Sequence, residues 1–186
     1  MTKVLSIAVA CLFLLNSAVA EDVKSGLKVG DRIGAFNVTK CAGADKDNVA
    51  VGKELCYRCK NGARPQIMVF TRSTDTNIEK LVKGLDKAVK NHESAQLRAF
   101  VNVLGESRDV ASDEAKKLAK SSKAENIPFV VPNEYENGPA NYGINPKADL
   151  TIIFANESKV VANYSVNSIE DMEQKPIMAA LKKILN

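Results

Sequence analysis

The chain has 186 residues, with 26 Lys and Arg against 22 Asp and Glu and a net charge of +4. Charge of that size, spread along the chain, does not form the one-sided basic cluster that nucleic-acid binding requires. The length and the 45% hydrophobic content suit one domain with a sizeable core, and the four cysteines make the redox compartment the first question.

Lys3 supplies a positive start, residues 4–15 form an apolar run broken only by Ser6, and Ala18-Val19-Ala20 is a small-x-small cleavage site. Glu21-Asp22 then switches to polar chain. This pattern predicts a secretory signal peptide over residues 1–20, with an apolar run too short to span a bilayer. Cys11 lies inside that run, and Ala8 is a poor start for a lipid-attachment motif, so Cys11 reads as an ordinary signal residue. The expected product is one domain over residues 21–186, exported to a bacterial periplasm or beyond, with no membrane attachment after cleavage. Loss of Lys3 takes the charge to +3 (25 − 22), and loss of Cys11 leaves Cys41, Cys56 and Cys59. An odd number of cysteines leaves at least one thiol free, metal-bound or paired between molecules.

Beyond a polar leader, residues 35–39 are the first strand candidate and residues 43–48 a loop by composition. Residues 53–60 and 65–71 flank Asn61-Gly62, a hairpin signal because both residues tolerate positive φ. Ile67-Met68-Val69-Phe70 is a continuous apolar run suited to a strand buried on both faces. Ser73-Thr74-Asp75 can cap a helix whose Ile78, Leu81, Val82, Leu85 and Val89 share one face. His92, near its end, complements the helix C-terminus. Residues 97–104 are a second central strand, and residues 112–123 a helix with Ala115, Leu118 and Ala119 inward and its lysines solvated. Residues 129–131 form a short strand and 137–142 a turn of helix. Residues 150–155 and 159–165 make a hairpin across Asn156-Glu157-Ser158. Pro176 opens a last helix with Ile177, Leu181, Ile184 and Leu185 facing in. This βαβαβ–ββα order predicts an α/β fold: a mixed central sheet, helices on both faces and an N-terminal β-hairpin extension.

The order resembles the thioredoxin superfamily, in its redoxin and peroxiredoxin-like branch. Gly26-Leu27-Lys28-Val29-Gly30-Asp31 with Ala35-Phe36-Asn37-Val38 resembles that branch's opening, and Pro65-Gln66-Ile67-Met68-Val69-Phe70 its first central strand. Tyr142-Gly143-Ile144 with Leu150-Thr151-Ile152-Ile153-Phe154 resembles its Tyr-Gly-Val segment and the strand after it. The resemblance implies a redox cysteine after the first central strand. The chain instead reads Thr71-Arg72-Ser73-Thr74-Asp75 there, and Lys147-Ala148-Asp149 fill the slot of the family's cis-proline.

The dithiol motif stands earlier, as Cys56-Tyr57-Arg58-Cys59. Cys56 and Cys59 can bond each other only if Tyr57-Arg58 turn, because residues three apart on a strand lie about 10 Å apart. On a hairpin strand the bridge runs from Cys41 to Cys56 or Cys59 and staples a surface loop. Arg58, Lys60 and Arg64 favour thiolate, as a working dithiol requires. A zinc site would need a fourth ligand beyond Cys41, Cys56 and Cys59. Two functions are open. One is thiol–disulfide exchange with protein thiols or disulfides, with Cys56 and Cys59 catalytic and no cofactor. The alternative is a non-catalytic binding or structural module whose cysteines form a structural disulfide or, less favourably, a metal site.

Overall fold

In the computed structural model, which describes residues 23–185, the apolar run 67–70 is the middle of strand β3 (Gln66–Thr71), and every residue of β3 is buried. Its parallel neighbour is β4 (Arg98–Val103), with Val69 opposite Val101. Its antiparallel neighbour is β6 (Leu150–Asn156), with Val69 opposite Ile152. The expected signal peptide, residues 1–20, lies outside the described residues. The remaining strands are β1 (Val38–Ala42), β2 (Glu54–Leu55), β5 (Phe129–Pro132) and β7 (Lys159–Val166). Together the described strands form one mixed sheet in the order β2-β1-β5-β4-β3-β6-β7.

Three helices cover one face. Asp75 caps α2 (Thr76–Asn91) by accepting the N–H groups of Asn77 and Ile78, at 2.9 and 3.1 Å. Ser107 caps α3 (Arg108–Ser122), which therefore starts a turn earlier than its sequence pattern suggests and adds Ala111 to its buried side. Pro176 lies in the first turn of α4 (Gln174–Leu185), where a missing N–H costs nothing. Ile78, Leu81, Leu85, Leu118, Ile177 and Ile184 pack with Val69, Val101, Phe129 and Ile152 in one core.

The opposite face is thinner and aromatic. Phe36, Tyr57, Phe70, Phe100 and Tyr142 meet there, with Phe36 and Tyr142 edge to face at 4.8 Å. Its cover is the N-terminal segment, a 3-10 turn at Ala140–Tyr142 and the short helix α1 (Tyr57–Asn61).

Helix α1 replaces the expected hairpin of residues 53–60 with 65–71. Both edges of β3 are occupied, by β4 and β6, so residues 53–60 have no edge to pair with. Within that stretch the strand is confined to Glu54–Leu55, which pair with β1. Asn61-Gly62 ends a helix instead of turning a hairpin: Gly62 has φ 63°, and its N–H reaches Arg58 O and Cys59 O. The hairpin at Asn156-Glu157-Ser158 does form, with Glu157 and Ser158 at φ 49° and 64° between β6 and β7.

Candidate redox site

Cys56 and Cys59 form a disulfide with their Cα atoms 5.2 Å apart. One helical turn makes this possible, since residues i and i+3 lie on the same side of a helix. Cys56 is extended (φ −103°, ψ 99°) and occupies the N-cap of α1. Its Sγ accepts the Cys59 N–H at 3.0 Å, a donor the helix itself cannot satisfy. The two sulfurs are unequal. Cys59 is exposed, whereas Cys56 is half-buried.

A staple from Cys41 is excluded by the sheet. Cys41 lies on β1 within the core on the α2–α3–α4 face, and its thiol donates to Thr39 O at 3.6 Å. Tyr57, between the paired cysteines, packs on the other face, stacked with Phe100 at 5.8 Å. A bridge from Cys41 would have to cross the sheet, and Cys41 cannot join the other two as a metal ligand for the same reason. Burial pushes the Cys41 thiol above its ordinary pKa, although the Ser112 hydroxyl and the Lys116 and Arg108 charges pull it down. Among the described residues, no three His, Cys, Asp or Glu side chains gather to hold a metal ion.

The motif is anchored through Tyr57. Its hydroxyl donates to Asp47, whose other oxygen takes a 2.8 Å ion pair from Lys40. Lys40 is 1% exposed, and its ammonium also donates to Ala44 O and Val49 O at 3.1 and 2.8 Å. The loop of residues 44–49 is thus wrapped around a buried cation, and the dithiol helix is tied to that loop. Burial and then the Asp47 carboxylate hold the Tyr57 phenol far above its usual range. A raised folded-state pKa stabilises fully below pH ~10 and is lost only as pH rises beyond it, so Tyr57 stays neutral at ordinary pH.

Asp47→Ala is expected to destabilise the protein by about 3 kcal/mol in urea unfolding, because it strands the Lys40 charge. Adding Lys40→Met should recover most of that loss. Sequence reading missed Lys40, Asp47 and Tyr57. A lysine within a strand pattern carries no mark of its burial.

The residues after β3 are engaged in structural contacts. Thr71 accepts the Ser73 N–H at 3.1 Å, Thr74 donates to Glu114 of α3, and Asp75 caps α2. Arg72 donates to Glu136 O at 2.6 Å, and its own N–H reaches Asp149 O at 2.9 Å. It thereby ties β3 to the β5–β6 connection and to the segment before β6. That connection, rich in Asn, Gly and Pro, encloses a 410 Å³ cleft walled by residues 134–140 with Gly143 and Ile144. Neither paired cysteine lines it. His92 is the C-cap of α2, as its place in the sequence suggests.

No family model and no curated protein matches the chain. Solved structures do. The chain is similar to a candidate thiol:disulfide interchange protein DsbE from Chlorobium tepidum, at 12% identity and a TM-score of 0.61, covering 86% of this chain and 99% of that one. It is also similar to AhpC from Mycobacterium bovis, at 10% identity and a TM-score of 0.62, covering 86% and 98%. The chain has a thioredoxin-like fold. The exposed lipoprotein thioredoxin of Streptococcus pneumoniae is a further thioredoxin-like neighbour, at 16% identity and a TM-score of 0.53, covering 80% and 98%. At these identities the likeness carries the fold alone. What departs from the expected thioredoxin-like plan is placement: Asp75 stands at the helix cap after β3, and the cysteine pair lies at the start of the helix before β3, with Cys56 as its cap.

Proposed function

We propose that the protein is exported and exchanges disulfides with protein thiols through Cys56 and Cys59. The observation that carries this reading is the inequality of the two sulfurs: Cys59 is exposed, and Cys56 is held by the Cys59 N–H. A partner thiolate attacks Cys59 Sγ, the Cys56–Cys59 bond breaks, and its electron pair leaves on Cys56 Sγ. The N–H that already points at that sulfur stabilises the new thiolate. In the opposite direction, Cys59 thiolate attacks a partner disulfide and one partner sulfur leaves as thiolate. Cys56 then attacks Cys59 Sγ, reforms the internal bond and releases the second partner sulfur. Export rests on the expected signal peptide of residues 1–20.

The second reading is a binding or structural module in which the same disulfide only fastens α1. Tyr57 favours it, since that residue belongs to the core and its position depends on the turn. Closing so short a loop contributes about 2 kcal/mol at most. Melting curves of the oxidised and reduced protein distinguish the two. A working dithiol tolerates reduction with little change, whereas a staple loses a clear fraction of its stability.

Peroxide chemistry at the usual position of a peroxiredoxin is expected to be absent. Stopped-flow mixing with hydrogen peroxide should give turnover no faster than that of a free thiol. Asp75→Cys should not raise it, because the Arg72 guanidinium is held by Glu136 O and Asn137 Oδ1 and Thr74 by Glu114. Fast turnover that survives both Cys56→Ser and Cys59→Ser would contradict the assignment.

A further inference from the structure

The segment around Cys59 carries an excess of positive charge. Residues 53–64 hold Lys53, Arg58, Lys60 and Arg64 against Glu54 alone, a net +3 (4 − 1). None of the four cations forms an ion pair among the described residues. Arg58 is held by a 3.1 Å bond from its Nε to Ile33 O, which leaves its charge unpaired beside the disulfide. Arg64 is fixed at the end of α1, donating to Lys60 O and Asn61 O at 3.3 and 3.2 Å and to Gln96 at 2.7 Å. Lys60 is exposed, next to the exposed Cys59. Asp47 is paired with Lys40, and Glu54, which accepts from Asn133 on the β1–β5 side at 2.8 Å, is the segment's single negative charge against four positive ones.

Hydrogen bonding to carbonyls and to an amide fixes Arg58 and Arg64 without consuming their charge. Such a field raises the local concentration of negative partners and lowers that of positive ones. From this we infer the partner class: the sulfur that reacts with Cys59 belongs to a cysteine in an acidic protein segment. The inference rests on the exchange reading above. The reaction it describes is a two-electron exchange. The partner thiolate forms a bond to Cys59 Sγ, Cys56 Sγ leaves with the electron pair and takes a proton, and a second partner thiol displaces Cys59 to complete the partner's disulfide.

Reduction of the oxidised full-length protein by two capped single-cysteine peptides tests this. One peptide has its cysteine flanked by Asp and Glu, the other by Lys, and rates are normalised to thiolate concentration. At low ionic strength the acidic peptide should react roughly tenfold faster, and the ratio should approach one in molar salt, as screening predicts. Lys60→Gln, at an exposed position, should lower the ratio measurably while the protein stays folded, with a melting temperature within a few degrees of the parent. Equal rates for the two peptides, or a preference that ignores salt, would overturn the inference while leaving exchange intact. An equally fast reaction with 2-mercaptoethanesulfonate would also overturn it, since the partner would then be a small anionic thiol and not a protein segment. Resistance to every thiol until the protein unfolds would remove the exchange reading itself.

Discussion

Val69→Asp is expected to leave no soluble protein. Val69 has no exposed surface and stands in the central strand, opposite Val101 on one side and Ile152 on the other. Its side chain joins the apolar core beneath α2, α3 and α4. Burying an unpaired carboxyl there costs at least about 4 kcal/mol, a large part of the whole stability of a domain this size. Expression and sedimentation of the variant check it. A soluble, cooperatively melting Val69→Asp protein would contradict the core assignment.

The second large effect concerns the two cysteines separately. On the proposed mechanism Cys59→Ser should abolish exchange, because it removes the exposed sulfur proposed to receive the partner. Cys56→Ser should instead accumulate a mixed disulfide on Cys59, because the group that resolves it is missing. Non-reducing mass spectrometry after incubation with a disulfide-bearing peptide reads both outcomes: Cys59 thiolate attacks the peptide disulfide, one peptide sulfur leaves as thiolate, and the other stays on Cys59. The opposite pattern, with the trapped adduct on Cys56, would reverse the roles given to the two sulfurs.

Much of the fold is legible in the sequence because its central elements have strong local signals. The apolar run of β3, the 3.6-residue pattern of α2 and the Asn156-Glu157-Ser158 turn each specify their element with little outside help. The segment around the disulfide is different. Asn61-Gly62 suits a hairpin and a helix end equally well, and which one forms depends on whether β3 has a free edge. That is a tertiary fact, invisible from residues 53–65. One local signal does favour the helix: Arg58 and Lys60 precede Gly62, the usual order of basic last turn and glycine stop.

The site divides in the same way. Cys56 and Cys59 are identifiable as a pair from their spacing, and their placement before β3 is plain from the order of elements. Their pairing depends on the turn, and Cys41 is excluded only once it is seen on the far face of the sheet. The Lys40–Asp47–Tyr57 chain joins residues up to 17 positions apart through a loop that carries only a 3-10 turn at Asp45–Asp47. No periodicity announces such a contact. Sequence reading finds the cysteines, and packing decides which of them can meet.

The most direct test of the account is disulfide mapping of the native protein combined with titration in a dithiothreitol or glutathione redox buffer. The account predicts a Cys56–Cys59 bridge, a Cys41 thiol that is alkylated only on unfolding, and reduction of the bridge in the folded state at roughly −120 to −270 mV, the range of exchange proteins. A bridge containing Cys41, or a Cys56–Cys59 bond that stays oxidised below about −300 mV until the protein unfolds, would contradict it.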